Sequence, residues 1–292
     1  MERESIDNHE TVHNHSLNLE ELPRFSVKYV QLEEIETVCG VNDFQDVERY
    51  DGKLGVTKEF VIAHQAPVGQ IQWNNNLADK YNYPGNVSGI RWGSGTLISE
   101  DLFLTAGHCF DSTPDEFTVP RIEGTNNPIS PEEIAKNMKV NFNYQYDHAS
   151  NLRSEQSFAI LDLVEYRVGG LDYAIVRLDG KPGEKFGYTK ISKTDANIND
   201  MLCIIQHPDG KPKSIEAGPV TYLKDGDERI GYGSLDTLGG SSGAGILLAS
   251  NGTLVGVHTN GGCRSNLDGH NYGVRISSLL LVSPTLEKLT LP

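Results

Sequence analysis

From Pro67 onward, apolar residues come in short runs separated by turn-forming residues. Val140, Phe142 and Tyr144 alternate with polar neighbours, the period-two pattern of a half-buried strand. The runs GQIQW, IRWGSGTLIS, LFLTA, KVNFNYQY, AILDLVEYRV and DYAIVRL make a first set. MLCIIQH, GPVTYLK, RIGYGSL, AGILLAS, TLVGVHT and NYGVRIS make a second. The turns PDGKP, KDGDE and SNGT have the Gly, Pro, Asn and Asp chemistry that reverses a chain. One helix interrupts the first set: SPEEIAKNM, with Ser130 as N-cap and Glu133 at the capping-box position. The tail SSLLLVSPTLEKL reads as a short C-terminal helix interrupted by Pro284. Two such strand sets predict an all-β protein, a double antiparallel β-barrel joined near residues 179–195.

The ends read differently. Residues 1–24 are polar, His-rich and acidic, and a disordered N-terminal tail is expected there. Residues 25–65 mix apolar and polar residues between glycines, as in CGVNDFQDVERYDGKLGV. They read as an N-terminal arm or pro-segment lying on the body. The first barrel is then expected over 66–185, and the second barrel with the C-terminal tail over 186–292.

Composition narrows the function classes. The chain has 292 residues, 37% hydrophobic and 22% charged, enough to bury a core. The 30 glycines and 13 prolines suit many turns. A formal net charge of −15 opposes nucleic acid and anionic lipid, so neither is expected as a partner. No stretch nears the ~18 continuous apolar residues of a membrane span. The first residues lack the apolar run of a signal peptide, which leaves a cytoplasmic protein or an exported form without its signal. Cys39, Cys109, Cys203 and Cys263 are scattered, and spacing does not choose among their pairings. No CxxC or paired Cys/His spacing suggests a metal. Asn14, Asn86 and Asn251 lie in N-x-S/T sequons, relevant on a eukaryotic secretory route.

Three short segments carry candidate chemistry. In Leu104-Thr105-Ala106-Gly107-His108-Cys109, a histidine follows an apolar run among small residues, which lets its ring reach a cleft. In Gly239-Gly240-Ser241-Ser242-Gly243, glycines flank a serine. They permit backbone conformations that can aim two N–H groups into one hollow. Asp172 heads DYAIVRL, where a carboxylate can orient an imidazole. Each segment alone has a bland reading: a hydrogen-bonded histidine, a flexible turn, a strand-starting aspartate. Together they run His108, Asp172, Ser242, an order distinct from those of subtilisin and the α/β-hydrolases. His64, His148, His207, Asp162 and Ser241 are weaker candidates, set in turns or lacking these surroundings.

At these residues the sequence resembles the trypsin/chymotrypsin-like serine peptidases over roughly residues 66–280. LTAGHC matches their histidine motif, DYAIVRL their aspartate motif and GGSSGAGIL their serine motif. The resemblance implies a His108–Asp172–Ser242 triad, an oxyanion hole from the N–H groups of Gly240 and Ser242, polypeptide substrates, no cofactor and a monomer. Within the group the chain is similar to the bacterial glutamyl endopeptidases of V8 type. Asp236 to Gly243, Val257-His258-Thr259-Asn260-Gly261 and the segment Ile204 to Pro212 carry that likeness. It implies that Thr237 and His258 bind a P1 glutamate carboxylate. Asp236, six residues before Ser242, keeps a Lys/Arg-specific alternative open, because trypsins bind basic P1 residues with an aspartate there. A non-catalytic binding or adaptor module is the other alternative. The chain departs from the animal trypsins in lacking an IVGG amino terminus and in carrying Ser241 where they have aspartate. Position 93 is Gly where many relatives have cysteine, so Cys109 lacks its usual partner.

Overall fold

The computed structural model describes residues 37–114, 117–263 and 269–291. The tail expected over residues 1–24 lies outside them. The first set of runs becomes β2 (Val68–Trp73), β3 (Arg91–Leu97), β4 (Leu102–Thr105), β5 (Met138–Phe142), β6 (Gln156–Arg167) and β7 (Tyr173–Leu178). These close into a barrel in the order β2-β3-β4-β7-β6-β5, each pairing antiparallel. Closure removes the unpaired edges that an open sheet would expose. The period-two rule sorts the side chains. Phe103, Ala174 and Val176 point into the barrel with Ile71, Trp73, Val140 and Phe142, while their neighbours Leu104, Tyr173 and Ile175 face the other way, towards the second sheet.

The second set becomes β8 (Met201–Gln206), β9 (Ser214–Pro219), β10 (Arg229–Tyr232), β11 (Gly245–Leu248), β12 (Leu254–Asn260) and β13 (Asn271–Arg275). With the two-residue β1 (Gln45–Asp46) they form a seven-stranded half-barrel sheet in the order β1-β9-β8-β11-β12-β13-β10. Leu202, Ile204, Ile230, Tyr232, Ile246 and Val255 fill its concave side.

Helices are few and short. α1 (Lys58–His64) starts at Thr57, whose hydroxyl accepts from Phe60 N. α2 (Pro131–Lys136) has the predicted Ser130 cap, accepting from Glu133 N. The Glu133 carboxylate instead accepts from Tyr81 Oη at 2.6 Å. α3 (Pro182–Phe186) leads out of the first barrel. The tail folds as two helices, α4 (Ile276–Leu280) and α5 (Pro284–Thr290). Pro284 opens the second, where its missing N–H costs nothing, and Ser283 caps it.

Between the barrels lies a shared core. Val68, Leu104 and Ile175 of the first meet Ile205, Ile215, Leu254 and Val257 of the second. Val47, Tyr50, Val56 and Val61, from the segment read as an arm, are buried in this same cluster. Tyr50 Oη donates to Val56 O at 2.9 Å and folds that segment back on itself. Among the described residues no helix is long and apolar enough to cross a membrane.

Candidate active site

The two barrels present their candidate residues to one another. β4 ends at Thr105, and a tight 3-10 turn over Gly107–Phe110 follows at once. That turn lifts His108 off the barrel. Asp172, just before β7, is buried and meets it with both oxygens: Oδ2 lies 2.5 Å from His108 Nδ1, and Oδ1 accepts from His108 N at 2.8 Å. β4 and β7 are paired neighbours, with Thr105 opposite Ala174. The register therefore brings the two motifs together although 64 residues separate them. A buried carboxylate held by two donors from one residue fixes both the ring and its tautomer.

The serine loop comes from the second sheet and docks on this corner. Ser94 of β3 makes the join. Its N–H donates to Ser242 O at 2.8 Å, and its hydroxyl donates to Gly240 O at 2.7 Å and accepts from His207 N at 2.9 Å. On the other side Gly243 N donates to His258 O, and His258 N donates to Ala244 O. Two glycines are required here. Gly240 has φ of +98° and Gly243 of +88°, values that side-chain-bearing residues rarely adopt. A Cβ on Gly243 would also run into Thr105 Oγ1. The Ser242–Gly243 backbone is thus pressed against the strand end that carries His108. Sequence reading missed Ser94, whose role appears only once β3 and the serine loop are adjacent.

Ser241 and Ser242 are separated by their surroundings. Ser241 is fully buried, and its hydroxyl accepts from Leu238 N at 3.2 Å. The other weak candidates lie in different settings, although His207 adjoins the serine loop through its N–H bond to the Ser94 hydroxyl. His148 is exposed, 3.9 Å from Glu48. Asp162 is exposed beside Arg177. His64 packs on Phe60. His207 is buried, with Nδ1 3.0 Å from Lys211 O, and burial pushes its pKa down to about 3.

The three residues expected at a specificity pocket are all fully buried. His258, on β12, has Nδ1 2.5 Å from Tyr232 Oη. Burial, and next the nearby His108, push its pKa down to about 3, so its imidazole is neutral at neutral pH. Thr237 Oγ1 accepts from Asn271 Nδ2 at 3.1 Å. Asp236 accepts from Cys39 N at 2.6 Å and Asp43 N at 3.1 Å. Burial raises its pKa, and these two amides partly offset that.

The partners of Asp236 belong to the segment read as an arm, and so does one half of the disulfide, Cys39–Cys263. Cys109 and Cys203 are buried thiols. A Cβ on Gly93 would lie 2.8 Å from Cys109 Sγ, so position 93 does sit where a bridging cysteine would. Among the described residues no group of three or more His, Cys, Asp or Glu side chains is arranged to hold a metal.

The family model for the trypsin-like peptidase domain matches residues 93–257, more than half of the chain. The chain belongs to the trypsin-like peptidase family. It is 31% identical over 180 residues to the secreted RxLR effector protein 73 of Plasmopara viticola, covering 58% of this chain and 41% of that protein. It is 29% identical over 175 residues to the uncharacterized protein y4fB of Sinorhizobium fredii, covering 53% of this chain and 23% of that one. The chain thus spans well under half of either relative. Among solved structures it resembles a Glu endopeptidase in complex with MPD, with a TM-score of 0.51, 21% identity and coverage of 75% of this chain and 88% of that one. A serine endoprotease from Yersinia pestis aligns with a TM-score of 0.50, 15% identity and coverage of 81% and 68%. At such identities the likeness is one of fold, and the fold of this trypsin-like peptidase domain is the chymotrypsin-like double barrel.

Proposed function

We propose that this trypsin-like domain is an active serine endopeptidase with Ser242 as nucleophile. One observation carries the reading: a buried Asp172 engages both His108 Nδ1 and His108 N, and the Ser242 loop is fastened to the same corner through Ser94. Ser242 Oγ attacks the scissile carbonyl, and His108 takes its proton and returns it to the leaving amine. Asp172 holds the tautomer and stabilises the imidazolium. The N–H groups of Gly240 and Ser242 stabilise the oxyanion, each such donor being worth roughly 3 kcal/mol. Water then cleaves the acyl-enzyme. No cofactor enters the scheme. Labelling with a fluorophosphonate tests it: wild type should label and Ser242→Ala should not. An unlabelled wild type would favour the adaptor alternative.

For specificity we propose cleavage after glutamate. Asp236 is the main obstacle, since an anion facing the pocket would repel a P1 carboxylate. Its two bonds to Cys39 N and Asp43 N satisfy it on the side of the N-terminal segment, which supports the Glu reading over the Lys/Arg one. The Tyr232 hydroxyl against His258 Nδ1 fixes the ring that this reading takes as one pocket wall. A peptide-library digest read by mass spectrometry tests this directly. Dominant cleavage after Lys or Arg would overturn it.

A further inference from the structure

The segment Thr37–Asp43 touches every element that forms the proposed specificity pocket. Thr37 is its clasp. The Thr37 hydroxyl donates to Asn271 Oδ1 at 2.8 Å and accepts from Gly262 N at 3.1 Å and Cys263 N at 2.9 Å. Its carbonyl accepts from Asn271 Nδ2 at 2.7 Å and from Thr237 N at 3.3 Å. One residue thereby ties together the wall that leads to Ser242, the chain that leaves β12 after His258, and the start of β13. Two residues on, Cys39 is linked covalently to Cys263, and its N–H holds Asp236. The Asp43 N–H holds the second Asp236 oxygen.

These bonds set the surroundings of Asp236. Asp236 is fully buried, and a buried carboxylate must have donors. Both of its carboxylate oxygens are supplied by amides of Thr37–Asp43. If the segment left, the carboxylate would lose those dipoles and be free to turn towards the side of Thr237 and His258, the walls of the proposed pocket. There it would repel a P1 glutamate and attract a P1 lysine or arginine.

We propose that Thr37–Asp43, clasped by Thr37 and latched by Cys39–Cys263, is a specificity-determining element that makes the pocket glutamate-selective by turning Asp236 away from it. The inference rests on the reading of Thr237 and His258 as pocket walls. Thr37 is a positioning residue in it: it acts through Thr237, Cys263 and Asn271 and does not itself contact substrate.

The test compares wild type, Thr37→Ser, the triple variant T37V/C39S/C263S, and that triple variant with Asp236→Asn added. Each is titrated with fluorophosphonate to count competent Ser242 and then assayed on matched Glu, Gln and Lys P1 peptides. The expected result for the triple variant is preserved labelling with at least a tenfold loss of kcat/KM on the Glu peptide. The loss should lie in KM, with a gain on the Lys peptide. Adding Asp236→Asn should restore Glu cleavage. T37S should behave as wild type. If the triple variant does not label, Thr37→Val with the disulfide intact serves in its place, read by KM on the Glu peptide against T37S. An unchanged Glu KM in a labelled variant, or no restoration by Asp236→Asn, overturns the proposal. A wild type that does not label fails at the earlier step, the peptidase reading itself. A wild type that labels but cleaves after Lys overturns the Glu reading and this inference together.

Discussion

At the scale of single residues, neighbouring side chains with similar chemistry carry different loads. Ser242→Ala is expected to lower turnover by several orders of magnitude with a nearly unchanged melting temperature, because members of a triad act as a unit. Ser241→Ala removes an acceptor for Leu238 N and leaves the nucleophile in place. It should cost about 1 kcal/mol of stability and much less activity. Turnover and thermal unfolding of the two variants, measured side by side, check this; equal losses of activity would undo the assignment. Asp236→Asn replaces one of two accepting oxygens by a donor that faces an amide N–H. It is expected to lower the melting temperature while the P1 preference stays the same. His258→Ala should selectively remove cleavage after glutamate. With its pKa at about 3, His258 stays neutral over the working range. The pH–rate profile for a neutral P1 substrate should therefore keep its acid limb when His258 is replaced by Gln, and a limb that moves would mean that His258 titrates in the active enzyme.

At the scale of elements, β9 concentrates buried ionisable groups. Burial raises the pKa of Glu216 to about 9, with Asp43 and Asp236 adding to the effect. Its ordinary value is 4.5, so between 4.5 and about 9 the folded chain binds the extra proton and stability falls as pH rises. Burial lowers the pKa of Lys213, just before β9, from 10.5 to about 7, and its Nζ donates to Gln65 O at 2.8 Å. There the unfolded chain binds the extra proton from about 7 to 10.5, so stability rises with pH in that window. His207 and His258 act in the same sense between about 3 and 6.5, where falling pH destabilises the fold. Glu216→Gln removes only the opposing contribution. The melting temperature of that variant minus that of wild type should grow from pH 5 to pH 9. A difference that stays constant across this range would show that Glu216 does not hold its proton in the folded chain.

At the scale of the whole molecule, residues between 47 and 61, ahead of the first barrel, are part of the core. Val47, Tyr50, Val56 and Val61 are at least 95% buried between the two sheets. At about 1.5–3 kcal/mol for each fully buried apolar side chain, their sum is comparable to the entire stability of a typical domain, about 5–15 kcal/mol. A truncation that starts at residue 66 is expected to lose cooperative unfolding, as followed by circular dichroism on heating; a native-like transition in that truncation would show the segment to be dispensable. The Cys39–Cys263 link closes a separation of 224 residues and restrains the unfolded chain over most of its length.

Much of the site is legible in the sequence because its chemistry is local. His108 needs small neighbours, Ser242 needs flanking glycines, and Asp172 needs to head a strand, and each demand falls within about six consecutive residues. The strands are legible for the same reason: alternation and turn chemistry are short-range, and they alone establish two β-rich sets and the His-Asp-Ser order. What tertiary structure decided is long-range. The donors that hold Asp236 lie 193 and 197 residues away, and the partner of Cys39 lies 224 away. Thr37 meets Asn271 across 234 residues. No periodicity or motif near Thr37 marks it, because its importance is a matter of which buried polar groups must be satisfied once two sheets and an N-terminal segment have converged. The sequence alone thus determined the chemistry of the candidate triad. The orientation of Asp236, on which the proposed glutamate selectivity rests, was decided only by the folding of Thr37–Asp43 against the second sheet, since a buried charge takes its direction from the donors that the finished fold brings to it.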